Sequence, residues 1–215
     1  MKNNFCILID DSNDWIRSFA TEYLKSINLD PELKIFNNPK ETKDFEICFV
    51  LGYTKILSKE EIHESCKYFV VHESSLPEGR GFAPLFWQVI EGKNDIEVCL
   101  IELDFPVDTG RIALKENIRL DGTELYEELR SKQAKATFSL IDIYLNSSSS
   151  INYEIQNGKD STYRKRNKSD SKLDINKSIA SQFNLLRTCN NEEWPAYFEI
   201  DNKKYFLKIF NSEKE

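Results

Sequence analysis

The chain has no long apolar run. Its hydrophobic stretches are strand-length, far short of the ~20 residues a membrane-crossing helix needs, so no membrane partner is expected. The opening MKNNFCILIDD meets acidic residues too soon for a secretory signal, which points to the cytoplasm. Cys6, Cys48, Cys66, Cys99 and Cys189 form no CxxC, and four of them lie in apolar strand-like or helical contexts. Reduced structural thiols fit that scatter better than disulfides or zinc ligands, and no metal is expected. Positive charge is also short: 29 Lys+Arg against 36 Asp+Glu leave a net charge of −7, which argues against nucleic acid as a partner. No internal repeat is visible.

What is present suffices for a sizeable core, with 40% apolar residues in a chain of 215. Residues 5–9 (FCILI) read as a fully buried strand running into the polar turn Asp10-Asp11-Ser12-Asn13. Trp15, Ile16, Phe19, Ala20, Tyr23, Leu24 and Ile27 recur at helical spacing and predict a helix that Asn28 and Pro31 end. Further strands are expected at 33–36 and 47–51, and strand–helix–strand order implies parallel pairing. Ser58-Lys59-Glu60-Glu61 fits a capping box and predicts a short helix. Strands at 68–71, 96–103 and 111–118 and helices at 82–91 and 123–145 complete a Rossmann-like α/β body, a mostly parallel sheet flanked by helices.

Composition then shifts at Asn146-Ser147-Ser148-Ser149-Ser150 and stays polar to about residue 170. A helix at 176–188 and strands at 197–200 and 205–210, joined by the turn Asp201-Asn202-Lys203, predict a small C-terminal subdomain of helix plus β-hairpin. The expected division is a body at 1–146, a linker at 147–170 and the subdomain at 171–215. The aromatic hairpin hints at an interface, so an oligomer is among the expectations.

The stretch most suggestive of chemistry is residues 68–81, YFVVHESSLPEGRG. Tyr68, Phe69, Val70 and Val71 read as a buried strand whose end presents His72, and Pro77, Gly79 and Gly81 force a loop directly after it. A second strand-end loop, Asp104 to Gly110, carries VDTG.

HESSLPEGRGFAP followed about thirty residues on by VDTG resembles the folate-dependent formyltransferases, and in particular the sugar N-formyltransferases acting on 4-amino precursors of nonulosonic acids. The family signature of a histidine, a Ser-Leu-Leu-Pro-like loop, an Arg-Gly pair and a later Asp-x-Gly falls here at His72, Ser75-Leu76-Pro77, Arg80-Gly81 and Asp108-Thr109-Gly110. LGYTKILSKEEI and the tail from YRKRNKS through WPAYF to KKYFLKI are also similar, so most of the chain is covered. The resemblance implies transfer of a formyl group from 10-formyltetrahydrofolate to the amine of a nucleotide-linked amino sugar, with no metal. Other amine acceptors and an inactive folate-binding or nucleotide-sugar-binding module are the alternatives.

Such a reaction needs a neutral amine nucleophile, a group to take its proton and stabilisation of a tetrahedral oxyanion. His72 suits the proton transfer and Asp108 its orientation. By resemblance, Leu51, Gly52, Tyr53, Phe105 and Val107 would line the folate pocket. Asp10, Asn13, Trp15, Ser74 and Arg80 are candidates for the acceptor, and Arg164 and Arg166 for a nucleotide diphosphate. The sequence departs from the family at one point: Val70 stands where an Asn two residues before the histidine holds the formyl oxygen. Ser74, a loop backbone N–H or Tyr68 are the substitute donors to consider.

Overall fold

A computed structural model describes residues 4–147 and 150–212, with the side chains of 12–14 outside the described set. Its centre is a six-stranded sheet in the order β2-β1-β3-β4-β6-β7, built from β1 (Phe5–Ile9), β2 (Ile35–Phe36), β3 (Ile47–Leu51), β4 (Lys67–His72), β6 (Asp95–Glu102) and β7 (Ile112–Arg119). The short β5 (Arg80–Gly81) pairs outside it with β8 (Thr162–Tyr163). The first four strands of the sheet run parallel, as the buried apolar runs FCILI and ICFVL require.

Alternation along these strands sorts the side chains onto two faces. Phe5, Ile7, Phe49 and Phe69 meet α1 (Arg17–Ser26), α2 (Pro84–Ile90) and α3 (Tyr126–Ser147). Tyr144 seats α3, its ring 4.4 Å from that of Phe69 and 6.0 Å from that of Phe49. Burying each such phenylalanine contributes about 2–3 kcal/mol. Tyr23 stacks on Phe138 at 4.7 Å and donates to Asp142 at 2.7 Å, which fixes α1 to α3. On the other face Cys6, Leu8, Cys48, Val50, Cys66 and Tyr68 pack beneath the 3-10 turn Pro39–Asp44 and the loop 52–66. The five cysteines are buried free thiols, and no group of metal-holding side chains occurs among the described residues. No described helix is long and apolar enough to cross a membrane.

The mostly parallel sheet is as expected; one strand runs against it, and two expected helices need correction. The 96–103 strand follows a helix, yet β6 runs antiparallel to β4, with Phe69 opposite Glu102 and His72 opposite Cys99. His72 already faces Cys99, so β6 begins beyond the end of β4 and runs back down beside it. The capping-box contact at Ser58 forms, with its N–H donating to Glu61 Oε2 at 2.8 Å. The residues that follow make only turns, because the chain must reach β4 at Lys67 and offers no apolar stripe to pack. The helix expected at 176–188 is reduced to the 3-10 turn Ala180–Gln182 and the four-residue α4 (Phe183–Leu186). Gln182 Nε2 donates to the carbonyls of Asp174, Lys177 and Ser178, and Ser178 Oγ accepts from the Ser181 N–H, so side chains compete for the helix hydrogen bonds.

The hairpin forms as expected from β9 (Ala196–Ile200) and β10 (Lys203–Leu207), turned by Asp201 and Asn202, both at positive φ. Arg187 ties this tail to the body. Its fully buried guanidinium lies 3.3 Å from the buried Glu124, before α3, and bonds Asn94 and Asn184. Burial pushes the Glu124 carboxyl up, but hydrogen bonds from Lys132 and from the Asp121 and Gly122 N–H groups outweigh this and hold it below the usual range. Arg187→Ala is expected to cost about 2–3 kcal/mol, because Glu124 keeps Lys132 and two N–H donors but the packed guanidinium and its bonds to Glu124, Asn94 and Asn184 are lost. Thermal unfolding at pH 7 measures this. Since the Glu124 pKa is depressed in the fold, its contribution is present above the usual carboxylate range and is lost as pH falls through the folded value.

Candidate active site

The antiparallel course of β6 creates the site. Because Glu102 ends beside Phe69, the loop 103–111 starts low on the sheet and climbs over the face that carries Tyr68, Val70 and His72. It brings Asp108 Oδ1 to 3.7 Å from His72 Nδ1, both residues being buried. His72 is therefore not on an open rim; it lies under two loops. Register places Ile9 beside Leu51 and Val50 beside Val70, so Asp10, Gly52 and His72 follow one another across three strand ends.

Two glycines of the motif have a steric reason. A Cβ on Gly110 would stand 1.8 Å from the Glu102 carbonyl, and one on Gly81, at φ +96°, would stand 2.4 Å from the Tyr163 carbonyl. Both allow backbones to touch where the loops cross.

His72 Nε2 lies 2.8 Å from the Gly79 carbonyl. A carbonyl oxygen only accepts, so Nε2 carries a proton and Nδ1 is the ring nitrogen that faces Asp108. Asp108 Oδ2 accepts from the Gly81 N–H at 2.9 Å, leaving Oδ1 toward the imidazole. Next to His72, Glu73 is buried. Its carboxylate accepts from Gln133 at 2.7 Å, its carbonyl accepts from Gln88 at 2.6 Å, and burial pushes its carboxyl up.

Of the other predicted residues, Tyr53 and Phe105 are half-buried and Val107 is exposed; Lys59 Nζ sits 5.5 Å from the Phe105 ring, so the loops after β3 and β6 stand side by side. Leu51 points its side chain into the helical core, leaving only backbone for the site, and Gly52 follows at φ +60°. Asp10 is buried and accepts from the Thr54 N–H and hydroxyl. Trp15 stacks under the Arg130 guanidinium at 4.1 Å. The Asn13 side chain lies outside the described residues. Ser74 Oγ is buried without a hydrogen-bond partner, beside a recess of about 100 Å³.

The arginines are occupied. Arg80 donates to the Asp108 carbonyl, Asp160 and Gln156. Arg164 makes a bidentate pair with Asp170 and lies over Trp87, and Arg166, half-buried, reaches the Thr188 carbonyl and the rings of Phe86 and Trp87. Their charges are directed at the protein itself.

Val70 packs against Leu76, Cys99, Ile101 and Ile112 and offers no donor. Tyr68 does not replace the family carboxamide, because its hydroxyl is bonded to Thr42 at 2.6 Å and to the His63 N–H at 3.2 Å. The N–H groups of residues 79–82 are also taken, by Ser161, Asp108 and Tyr163. Sequence reasoning missed Gln156 and Ser161, which reach this loop from the polar stretch; a lone Gln or Ser there carries no motif.

Residues 31–141 match the family model described as formyl transferase. The methionyl-tRNA formyltransferase of Rickettsia prowazekii is 34% identical over 174 residues, covering 79% of this chain and 56% of the relative. The chain thus spans about half the length of the curated relatives it matches. Methionyl-tRNA formyltransferase from Clostridium thermocellum shares the fold at a TM-score of 0.78 and 21% identity, over 94% of this chain and 89% of that one. A sugar N-formyltransferase from a Shewanella species does so at 0.69 and 16%, over 98% and 99%. With a family match over half its length and a relative one-third identical, this chain belongs to the formyl transferase family.

Proposed function

We propose that the protein moves a formyl group from 10-formyltetrahydrofolate to the amine of a nucleotide-linked 4-amino sugar, for a cytoplasmic step in building a surface glycan. The observation that supports the transfer is the buried His72–Asp108 pair, with Nε2 held by the Gly79 carbonyl and Nδ1 facing the carboxylate. In this reading the acceptor amine attacks the formyl carbon, and Nδ1 takes the amine proton. Asp108, 3.7 Å away, then stabilises the imidazolium. With no donor at Val70, the imidazolium and the unpartnered Ser74 hydroxyl are the candidate donors to the oxyanion. Breaking the bond to the folate nitrogen releases the formamide, and the His72 proton passes to that nitrogen. Tyr53, Phe105 and Val107 would line the folate side, with Leu51 and Gly52 contributing backbone.

Charge supports a sugar over a tRNA. The chain is net −7, and Arg164 and Arg166 are engaged internally. A nucleotide diphosphate would therefore have to displace Asp170 to reach Arg164. Similarity to the Rickettsia enzyme favours methionyl-tRNA as the second reading. The missing carboxamide at Val70 favours an inactive binding module as a third. Incubation with 10-formyltetrahydrofolate and a panel of UDP- and dTDP-linked 4-amino sugars, with methionyl-tRNA alongside, separates them. Formylated sugar is the expected product. Formylated methionyl-tRNA alone, or ligand-induced thermal stabilisation with no product, overturns the sugar assignment.

A further inference from the structure

We infer that Gln156 is a positioning residue for formyl transfer, holding Asp108 in the backbone conformation that aims its carboxylate at His72. The inference rests on the transfer reading above. Asp108 sits at φ +60°, a left-handed conformation that Asp tolerates better than most residues but that still costs energy. Contacts to its backbone bias it toward that conformation.

One carboxamide spans both ends of the turn. Gln156 Nε2 donates at 2.8 Å to the Asp108 carbonyl and at 2.8 Å to the Gly110 carbonyl, so both of its protons bracket the Asp-Thr-Gly turn. Its Oε1 accepts from Arg80 at 2.6 Å, and Arg80 Nε donates to the same Asp108 carbonyl at 3.1 Å. The backbone carrying Gln156 is itself fixed, because Glu154 and Ile112 exchange two hydrogen bonds of 2.8 Å. Farther along, Ser161 Oγ accepts from the Gly79 N–H, and β8 pairs with β5. Segment 154–163 thus clamps the loop bearing Gly79 to the loop bearing Asp108, from outside the matched residues 31–141.

Remove the two donors and the Asp108 and Gly110 carbonyls lose the one side chain that bridges them, leaving Arg80 on the first and only the flanking Arg111 carbonyl's bond to the Glu102 N–H beyond the second. Asp108 can then relax to negative φ, swinging Oδ1 from His72 and Oδ2 from the Gly81 N–H. Gln156 itself need not touch substrate.

The test uses Gln156→Met, which keeps the length without polar atoms, and Gln156→Glu, which keeps an acceptor for Arg80 but has no donors. Each is expected to lower kcat about 30-fold with either KM within about threefold. In an Asp108→Asn background neither should lower kcat further. Amide exchange at Gly81 should quicken about tenfold while the strand amides of β1 and β3 keep their rates. Wild-type kcat in both variants, a loss that multiplies with that of Asp108→Asn, or unchanged Gly81 exchange would overturn the inference. Should the wild-type protein transfer no formyl group, the proposed function fails but the Gly81 exchange still reads the clamp.

Discussion

His72→Ala is expected to lower kcat for formyl transfer about 10³-fold, within the range for removing a positioned general base. Two functions are lost together. In the proposed mechanism the amine proton then has no acceptor, and the oxyanion loses the imidazolium as a candidate donor. The Gly79 carbonyl also loses its 2.8 Å bond to Nε2, at a cost of about 1 kcal/mol, so the melting temperature should drop by only a few degrees. His72→Gln separates these effects. Its amide can still donate toward Gly79 but takes no proton, so stability should recover while kcat stays low. Steady-state kinetics and thermal unfolding of the two variants measure both outcomes, and recovery of turnover in His72→Gln would remove the base from the mechanism.

The second large effect runs the other way. Val70→Asn is expected to raise kcat about tenfold or more, because a carboxamide two residues before His72 lies on the same strand face and can donate to the developing oxyanion. Asn and Val are similar in volume, but burying an amide among Leu76, Cys99, Ile101 and Ile112 costs stability. The variant should therefore be faster and less heat-stable than wild type. A variant that is less stable and no faster would mean that the oxyanion is held elsewhere.

Much of this was legible in the residues. The apolar runs at β1, β3 and β4 have no other use than buried strands, and the Trp15-to-Ile27 stripe could only be an amphipathic helix. Pattern put His72 at a strand end and Asp108 in a strand-end loop, and the fold brings the two side chains to 3.7 Å. What pattern could not show was direction. An apolar run such as IEVCLIEL is the same whether its strand runs parallel or antiparallel, yet that choice decides that the Asp108 loop crosses the sheet face. The helix expected at 176–188 failed for a reason local propensity scales weigh poorly, since Ser178, Ser181 and Gln182 hold the backbone's partners themselves. In the sequence Arg164 and Arg166, flanking Lys165, are candidates for a nucleotide diphosphate. In the fold the first pairs with Asp170 and all three guanidinium or ammonium groups lie over aromatic rings of residues 82–87. Gln156 had no signal at all, because its value comes from where residues 46 and 48 positions away place their carbonyls.

The pairing of His72 with Asp108 is tested most directly by a double-mutant cycle in single-turnover formyl transfer, using wild type, His72→Ala, Asp108→Asn and the double variant with isotopically labelled formyl donor. Wild type should pass the label to the 4-amino sugar, with losses of about 10³-fold for His72→Ala and about 10²-fold for Asp108→Asn, and the double variant should be no slower than His72→Ala. Losses that multiply, or a wild type that labels no amine offered, would contradict the account.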